Sequence, residues 1–107
     1  MNAEQETQDT GWKVEFSSQA KKQKDNLPGK IDDILSALVT EIRVEGPVQT
    51  EWHHYGKLAG ADDVHHCHLN KGKPRYVAVW KVMNRTVRLV EIKYVGTHEK
   101  VRYNKFK

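Results

Sequence analysis

Residues 64–103, VHHCHLNKGKPRYVAVWKVMNRTVRLVEIKYVGTHEKVRY, constrain the fold more than any other part of the chain. Within 75–83, Val77, Val79 and Met83 alternate with Tyr76, Ala78, Trp80 and Val82. Side chains of a strand alternate between its two faces, so a run apolar on both needs cover on both sides. That predicts a central strand. Residues 86–95 set Val90, Ile92 and Tyr94 against Leu89, Glu91 and Lys93, which predicts a neighbouring strand. Asn70-Lys71-Gly72-Lys73-Pro74 and Asn84-Arg85 supply turn residues at the two joints. With the histidine-rich segment from Val64 in front, the reading is three consecutive antiparallel strands.

The preceding half has the elements needed to cover and extend such a sheet. Residues 12–16 alternate strictly, with Trp12, Val14 and Phe16 on one face, which predicts a half-buried strand at or near an edge. Ser17 or Ser18 can cap a short basic helix over 19–26, because a serine oxygen accepts from the free N–H groups of a first turn. Pro28-Gly29 breaks that helix, and a second is expected over 30–44. Its apolar set, Ile31, Ile34, Leu35, Leu38, Val39 and Ile42, has the spacing of one helical face, and Gly46-Pro47 ends it. Residues 48–63 show no sustained period and read as a connector anchored by Trp52, Tyr55 and Leu58 and carrying His53, His54 and Lys57. Residues 1–11 are polar and aperiodic and read as a disordered tail. The expected fold is α+β, in the order β-α-α-β-β-β, with an N-terminal helical hairpin packed on a twisted, mainly antiparallel sheet. The other face of that sheet is expected to stay partly open.

A chain of 107 residues supports one domain, here 12–107. Its apolar runs are too short to cross a membrane, its start lacks a secretory pattern, and Cys67 stands alone. Together these point to a soluble cytoplasmic protein without a disulfide framework. The net charge is +4, and its distribution says more than its size. From Lys71 onward the chain has eleven Lys or Arg residues against two acids, Glu91 and Glu99. A positive sheet and tail attract a polyanion.

Six histidines fall mostly in two groups, His53-His54 and His65-His66-Cys67-His68, with His98 alone. On a strand His66 and His68 share one face, and His65 and Cys67 the other. A His-x-His pair plus His53 or His54 could present three imidazoles to zinc, but neither Cys-x-x-Cys nor His-Glu-x-x-His spacing occurs, so no metal is expected. His65 is the first candidate for a purely structural histidine. The other chemistry is acid–base cleavage of RNA. A base takes the 2′ proton, cations hold the phosphorane charge, and an acid protonates the leaving 5′ oxygen. Imidazoles titrate near neutrality and suit both proton steps, Arg and Lys suit the charge, and aromatics stack splayed bases.

The order of these pieces resembles the RelE/ParE superfamily of toxin–antitoxin toxins, nearest to its RelE, HigB and YafQ-like branches. The likeness spans about residues 13–103 and rests on LPGKIDDILSALVTEI, HCHLNKGKPRYVAVWKV and LVEIKYVGTHEKVRY. It implies a ribosome-dependent mRNA endonuclease that uses 2′-OH attack without a cofactor, and a small antitoxin partner. His98 matches the histidine of the family's Gly-Thr-His exit and His68 that of the preceding strand pair. His54 (or His53) lies near a further loop histidine, and Tyr103 matches the C-terminal aromatic. Where YafQ-like members have an arginine four residues before the exit histidine, this chain has Tyr94; Arg75, Arg88 or Lys93 is expected to supply the cation. Contacts to mRNA and ribosomal RNA are expected from Lys21, Lys22 and Lys24 of the first helix and from Lys71 and Lys73, with Arg88 and Lys93 behind them. A monomer is the expectation for the free chain. The alternative within the superfamily is a non-catalytic toxin or binding module, such as a gyrase inhibitor.

Overall fold

The computed structural model describes residues 11–107. The tail expected over 1–11 therefore lies, except for Gly11, outside the described residues. Strand β1 (Lys13–Phe16) leads into helices α1 (Ser18–Asp25) and α2 (Gly29–Glu45). Four strands follow: β2 (Gly56–Lys57), β3 (Val64–His68), β4 (Tyr76–Asn84) and β5 (Leu89–Thr97). A 3₁₀ turn at Tyr103–Phe106 comes near the end. The strands form one sheet in the order β1-β5-β4-β3-β2. Only β1 is parallel to its neighbour; the other pairs are antiparallel.

The doubly apolar strand takes the central place, and its two faces have different cover. Toward the helices, Ala78, Trp80 and Val82 of β4 join Val90, Ile92 and Val95 of β5, and α2 lays Ile31, Leu35, Leu38, Val39 and Ile42 onto them. Trp80 is fully buried, and its indole N–H donates to the Pro47 carbonyl at 3.0 Å, so burying the ring strands no polar atom. Trp12, Val14 and Phe16 pack on the rim of this core, as the alternation of an edge strand requires. Gly46 closes α2 at φ 96°, a left-handed conformation, and a Cβ there would come within 3.0 Å of the Trp12 ring. Both facts demand glycine.

Three expectations need correction. Residues 48–63 are not wholly a connector, because Gly56–Lys57 pairs with β3 as the outermost strand. The second hairpin turns over four residues, 85–88, rather than on Asn84-Arg85; the Asn84 side chain accepts from Val87 N–H, and Arg88 takes φ 55°. The strand expected over 86–95 begins at Leu89 and carries a bulge. Ile92 faces Trp80 while Tyr94 faces Val79, so Lys93 is the extra residue. An extra residue reverses the alternation beyond it. Val95 thus enters the core, and Tyr94 moves to the face opposite the helices, away from Val90 and Ile92.

Candidate active site

Three strands and a loop end at the same place. His68 pairs with Val77 at the start of β4, and Tyr76 pairs with Thr97 at the end of β5. One residue further, the His98 N–H donates to the Arg75 carbonyl at 2.7 Å, which fixes the exit of β5 against the entry of β4. The loop after α2 is tied to the same corner, because the His68 N–H donates to the His53 carbonyl at 2.8 Å. His54, at φ 54°, then turns its ring onto His68, with centroids 4.2 Å apart and planes inclined by 27°. His98 meets His68 edge to face, with ring centroids 5.3 Å apart. Two residues back on the same face of β3, His66 lies 5.3 Å from the Tyr103 ring.

Glycine 96 is the local reason why the exit of β5 can be so tight. The Tyr94 hydroxyl reaches past it to donate to the Thr97 carbonyl at 2.9 Å. A Cβ at position 96 would sit 2.7 Å from that hydroxyl oxygen and 3.0 Å from its ring carbon. The Gly-Thr-His sequence is therefore the shape of an exit over which an aromatic ring folds.

Among the described residues the ring contacts of this corner include no carboxylate, and Arg75 places its charge near His68. Burial lowers the His68 pKa to about 4, and the adjacent His54, His98 and Arg75 push in the same direction. Near neutral pH this imidazole is uncharged and can accept a proton. Burial lowers His66 as well, and its Nδ1 is buried without a hydrogen-bond partner among the described residues. Burial also raises the Tyr103 phenol, which stays a neutral donor.

His65 plays the structural part expected of it. It is fully buried on the helix side, with its ring 5.9 Å from Trp80 and nearly parallel to it. Its Nδ1 contacts the Tyr55 hydroxyl at 2.7 Å and its Nε2 the Asp63 carboxylate at 3.0 Å. Burial dominates and lowers its pKa, against the opposing pull of Asp63. Burial acts to raise Asp63, but hydrogen bonds from Arg85 and His65 outweigh it and hold the carboxyl below its usual value. Arg85 grips that carboxylate through Nε at 2.9 Å and Nη2 at 3.1 Å, tying the tip of the β4–β5 hairpin to the entry of β3.

The residues singled out in the sequence thus divide. His54, His68, His98 and Arg75 converge, with Tyr103 over the neighbouring His66. His53 contributes its carbonyl, whereas the ring in the cluster belongs to His54. Lys71 and Lys73 are exposed in the loop entering β4, where the Lys71 carbonyl accepts from Arg75. Lys93 occupies the bulge and pairs with Glu91. Arg88 is at the opposite end of β5, where its carbonyl accepts from Lys13 N–H. Lys21 and Lys22 are exposed on α1, and Lys24 bridges to Asp32 at 3.0 Å. These three are on the helix layer and do not join the histidines. The residue passed over is His66; its signal was its two-residue spacing from His68. Among the described residues no group of three or more His, Cys, Asp or Glu is placed to hold a metal ion, and no helix is long and apolar enough to cross a membrane.

No protein-family model matches the sequence, and no curated protein matches it. Solved structures do. A free-state mutant of the E. coli toxin RelE aligns with TM-score 0.70 at 18% identity, over 91% of this chain and 94% of that one. The intact E. coli RelBE toxin–antitoxin complex aligns at 0.64 and 20% identity, over 83% and 99%. The archaeal RelE–RelB complex from Pyrococcus horikoshii OT3 gives 0.64 and 20%, over 84% and 98%. The chain has the RelE-like fold, two helices on a five-stranded mixed sheet.

Proposed function

We propose that this protein is the toxin of a toxin–antitoxin pair, an endoribonuclease that cuts mRNA on the ribosome by general acid–base catalysis. The observation that carries this reading is the convergence of His54, His68 and His98 beside Arg75, at one corner of a RelE-like sheet. A surface that only gripped another protein would gain little from a His68 ring touching two other imidazoles, whereas two proton transfers at a phosphodiester need such groups.

The reaction has one bond made and one broken. His68 takes the proton of the 2′-OH, the 2′ oxygen attacks phosphorus, and the P–O5′ bond breaks. His98 gives its proton to the leaving 5′ oxygen, so the products are a 2′,3′-cyclic phosphate and a 5′-hydroxyl. The arriving phosphodiester brings negative charge toward the neighbours that depress His68. That counteracts their part of the shift and moves the imidazole toward the range where a general base works best. Arg75 balances charge on the phosphorane, helped by Lys71 and Lys73 in the same loop. His54 stacks on His68 and fixes its ring plane. Tyr103 offers an aromatic face for a base beside the cut. Neither proton step nor the charge balance calls for a metal.

A cognate antitoxin follows from the same reading, since solved structures with this fold include toxin–antitoxin complexes. Induced expression of the wild type and of His98→Ala, with primer extension on a reporter mRNA, tests the proposal. Growth arrest with new cuts from the wild type alone is the expected result. Arrest without cuts would replace the nuclease with a non-catalytic poison.

A further inference from the structure

Strand β1 is shorter than the strand it pairs with. It accompanies β5 only to the Phe16–Ile92 pair, after which the Ser17 N–H bonds the Ile92 carbonyl and the chain turns into α1. Among the described residues, 93–97 therefore have no strand on their outer side. One edge donor is satisfied from α1, where Gln23 Oε1 accepts from Val95 N–H at 3.1 Å. The rest of the gap is a cavity of about 430 Å³, walled by α1 on one side and by the C-terminal segment on the other. That volume lies within the roughly 300–1,000 Å³ of small-ligand pockets.

The charges around it are unbalanced. Lys100, Arg102 and Lys105 line the cavity, all three exposed, and among the described residues no carboxylate lines it. Lys93 in the same wall is neutralised by Glu91, but the other three make no ion pair among the described residues. Converging cations without a counter-charge repel one another, and a bound anion relieves that repulsion. The remaining wall includes the amides of Gln19 and Asn26, able to donate and accept, and the aromatic residues Tyr76, Tyr94 and Phe106. Thr97 lines the cavity and is followed directly by His98.

We propose that this gap is a nucleotide subsite, which takes the phosphate and base of the RNA residue adjoining the one that is cut. The phosphate meets Lys100, Arg102 and Lys105, and the base lies between Tyr76 and the side-chain amides of α1. This rests on the nuclease reading for the identity of the ligand. An added peptide strand fits less well, because Gln23 already occupies the edge and the surrounding charge asks for a phosphate.

The test titrates the protein with nucleoside 3′-monophosphates and follows backbone amide shifts, comparing the wild type with Arg102→Gln/Lys105→Gln. Both side chains are exposed, so the variant keeps the fold. Saturable shifts at Gln23, Val95 and Thr97 are expected, with at least ~5-fold weaker binding in the variant. Shifts confined to the histidine corner, equal affinity in the variant, or a response to acidic peptides but not to nucleotides would each overturn the subsite. The readout requires no cleavage. An inactive protein that still binds nucleotides here would sink only the nuclease, and an active one with a silent cavity only the subsite.

Discussion

His68 is central to the proposed mechanism, since it touches both other imidazoles and burial lowers its pKa. His68→Ala and His98→Ala are each expected to reduce cleavage at least ~100-fold, as befits loss of a general base or acid, with Tm little changed. Single-turnover cleavage on ribosomes measures this, and near-wild-type rates in both variants would remove the mechanism. The same depressed groups set a pH dependence of stability. His65, His66 and His68 all bind protons less readily when folded than when unfolded. Their contribution is full above pH ~6.5, the unfolded value, and is lost progressively as pH falls below it. The lowered Asp63 adds a further loss below pH ~3.9. Thermal unfolding should therefore show Tm falling from pH 7 to pH 4.5, with a shallower fall in His68→Gln; a flat profile would contradict the burial argument. Glycine 96 has a steric test. In Gly96→Ala the new methyl would press on the Tyr94 ring, at a cost of about 1–3 kcal/mol. Denaturant unfolding reads that loss, and the double variant Gly96→Ala/Tyr94→Ala should lose less than the sum of its parts.

At the scale of elements, the features that obey simple periods were readable in the sequence. The edge strand, the helix over 29–45 and the central strand follow from alternation or from one apolar helical face, and each stands within a few residues of its expected bounds. What escaped depends on tertiary pairing. A two-residue strand such as Gly56–Lys57 has no period to detect and exists because β3 has a free edge. The bulge at Lys93 is invisible to an alternation count, and the count put Tyr94 on the wrong face from that point on. Of the site, His68 and His98 were named through the resemblance to the RelE-like family, and His66 could have been added from its spacing. The choice between His53 and His54 required the backbone turn at φ 54°. The link between Asp63 and Arg85 was equally hidden, because twenty-two positions separate two residues that meet only when the hairpin folds back. Arg85→Ala leaves the mostly buried Asp63 with fewer partners and should lower stability by about 0.5–1 kcal/mol without touching the His54, His68 and His98 cluster. Urea unfolding and amide exchange near residues 58–65 check it; unchanged stability would mean that the bidentate pair contributes nothing.

The whole molecule has two unlike faces. Helices and core lie on one side and the histidine corner on the other, while the basic C-terminal segment runs from Tyr103, beside His66, to the cavity against α1. The charge asymmetry after Lys71 was readable in the sequence, but not its arrangement: Lys24 and Lys93 are spent on ion pairs, while Lys100, Arg102 and Lys105 gather around a cavity. Affinity for RNA should accordingly fall steeply with added salt, whereas a neutral protein–protein contact would hardly change. The account as a whole depends on the RNA's own hydroxyl as the attacking group. The most direct measurement uses a ribosome-bound mRNA with a single 2′-deoxy nucleotide at the mapped cut, compared with the all-ribose mRNA. The account predicts no cut at the deoxy position, and a 2′,3′-cyclic phosphate from the all-ribose mRNA. Cleavage of the deoxy mRNA, or a product ending in a 3′-hydroxyl, would contradict it.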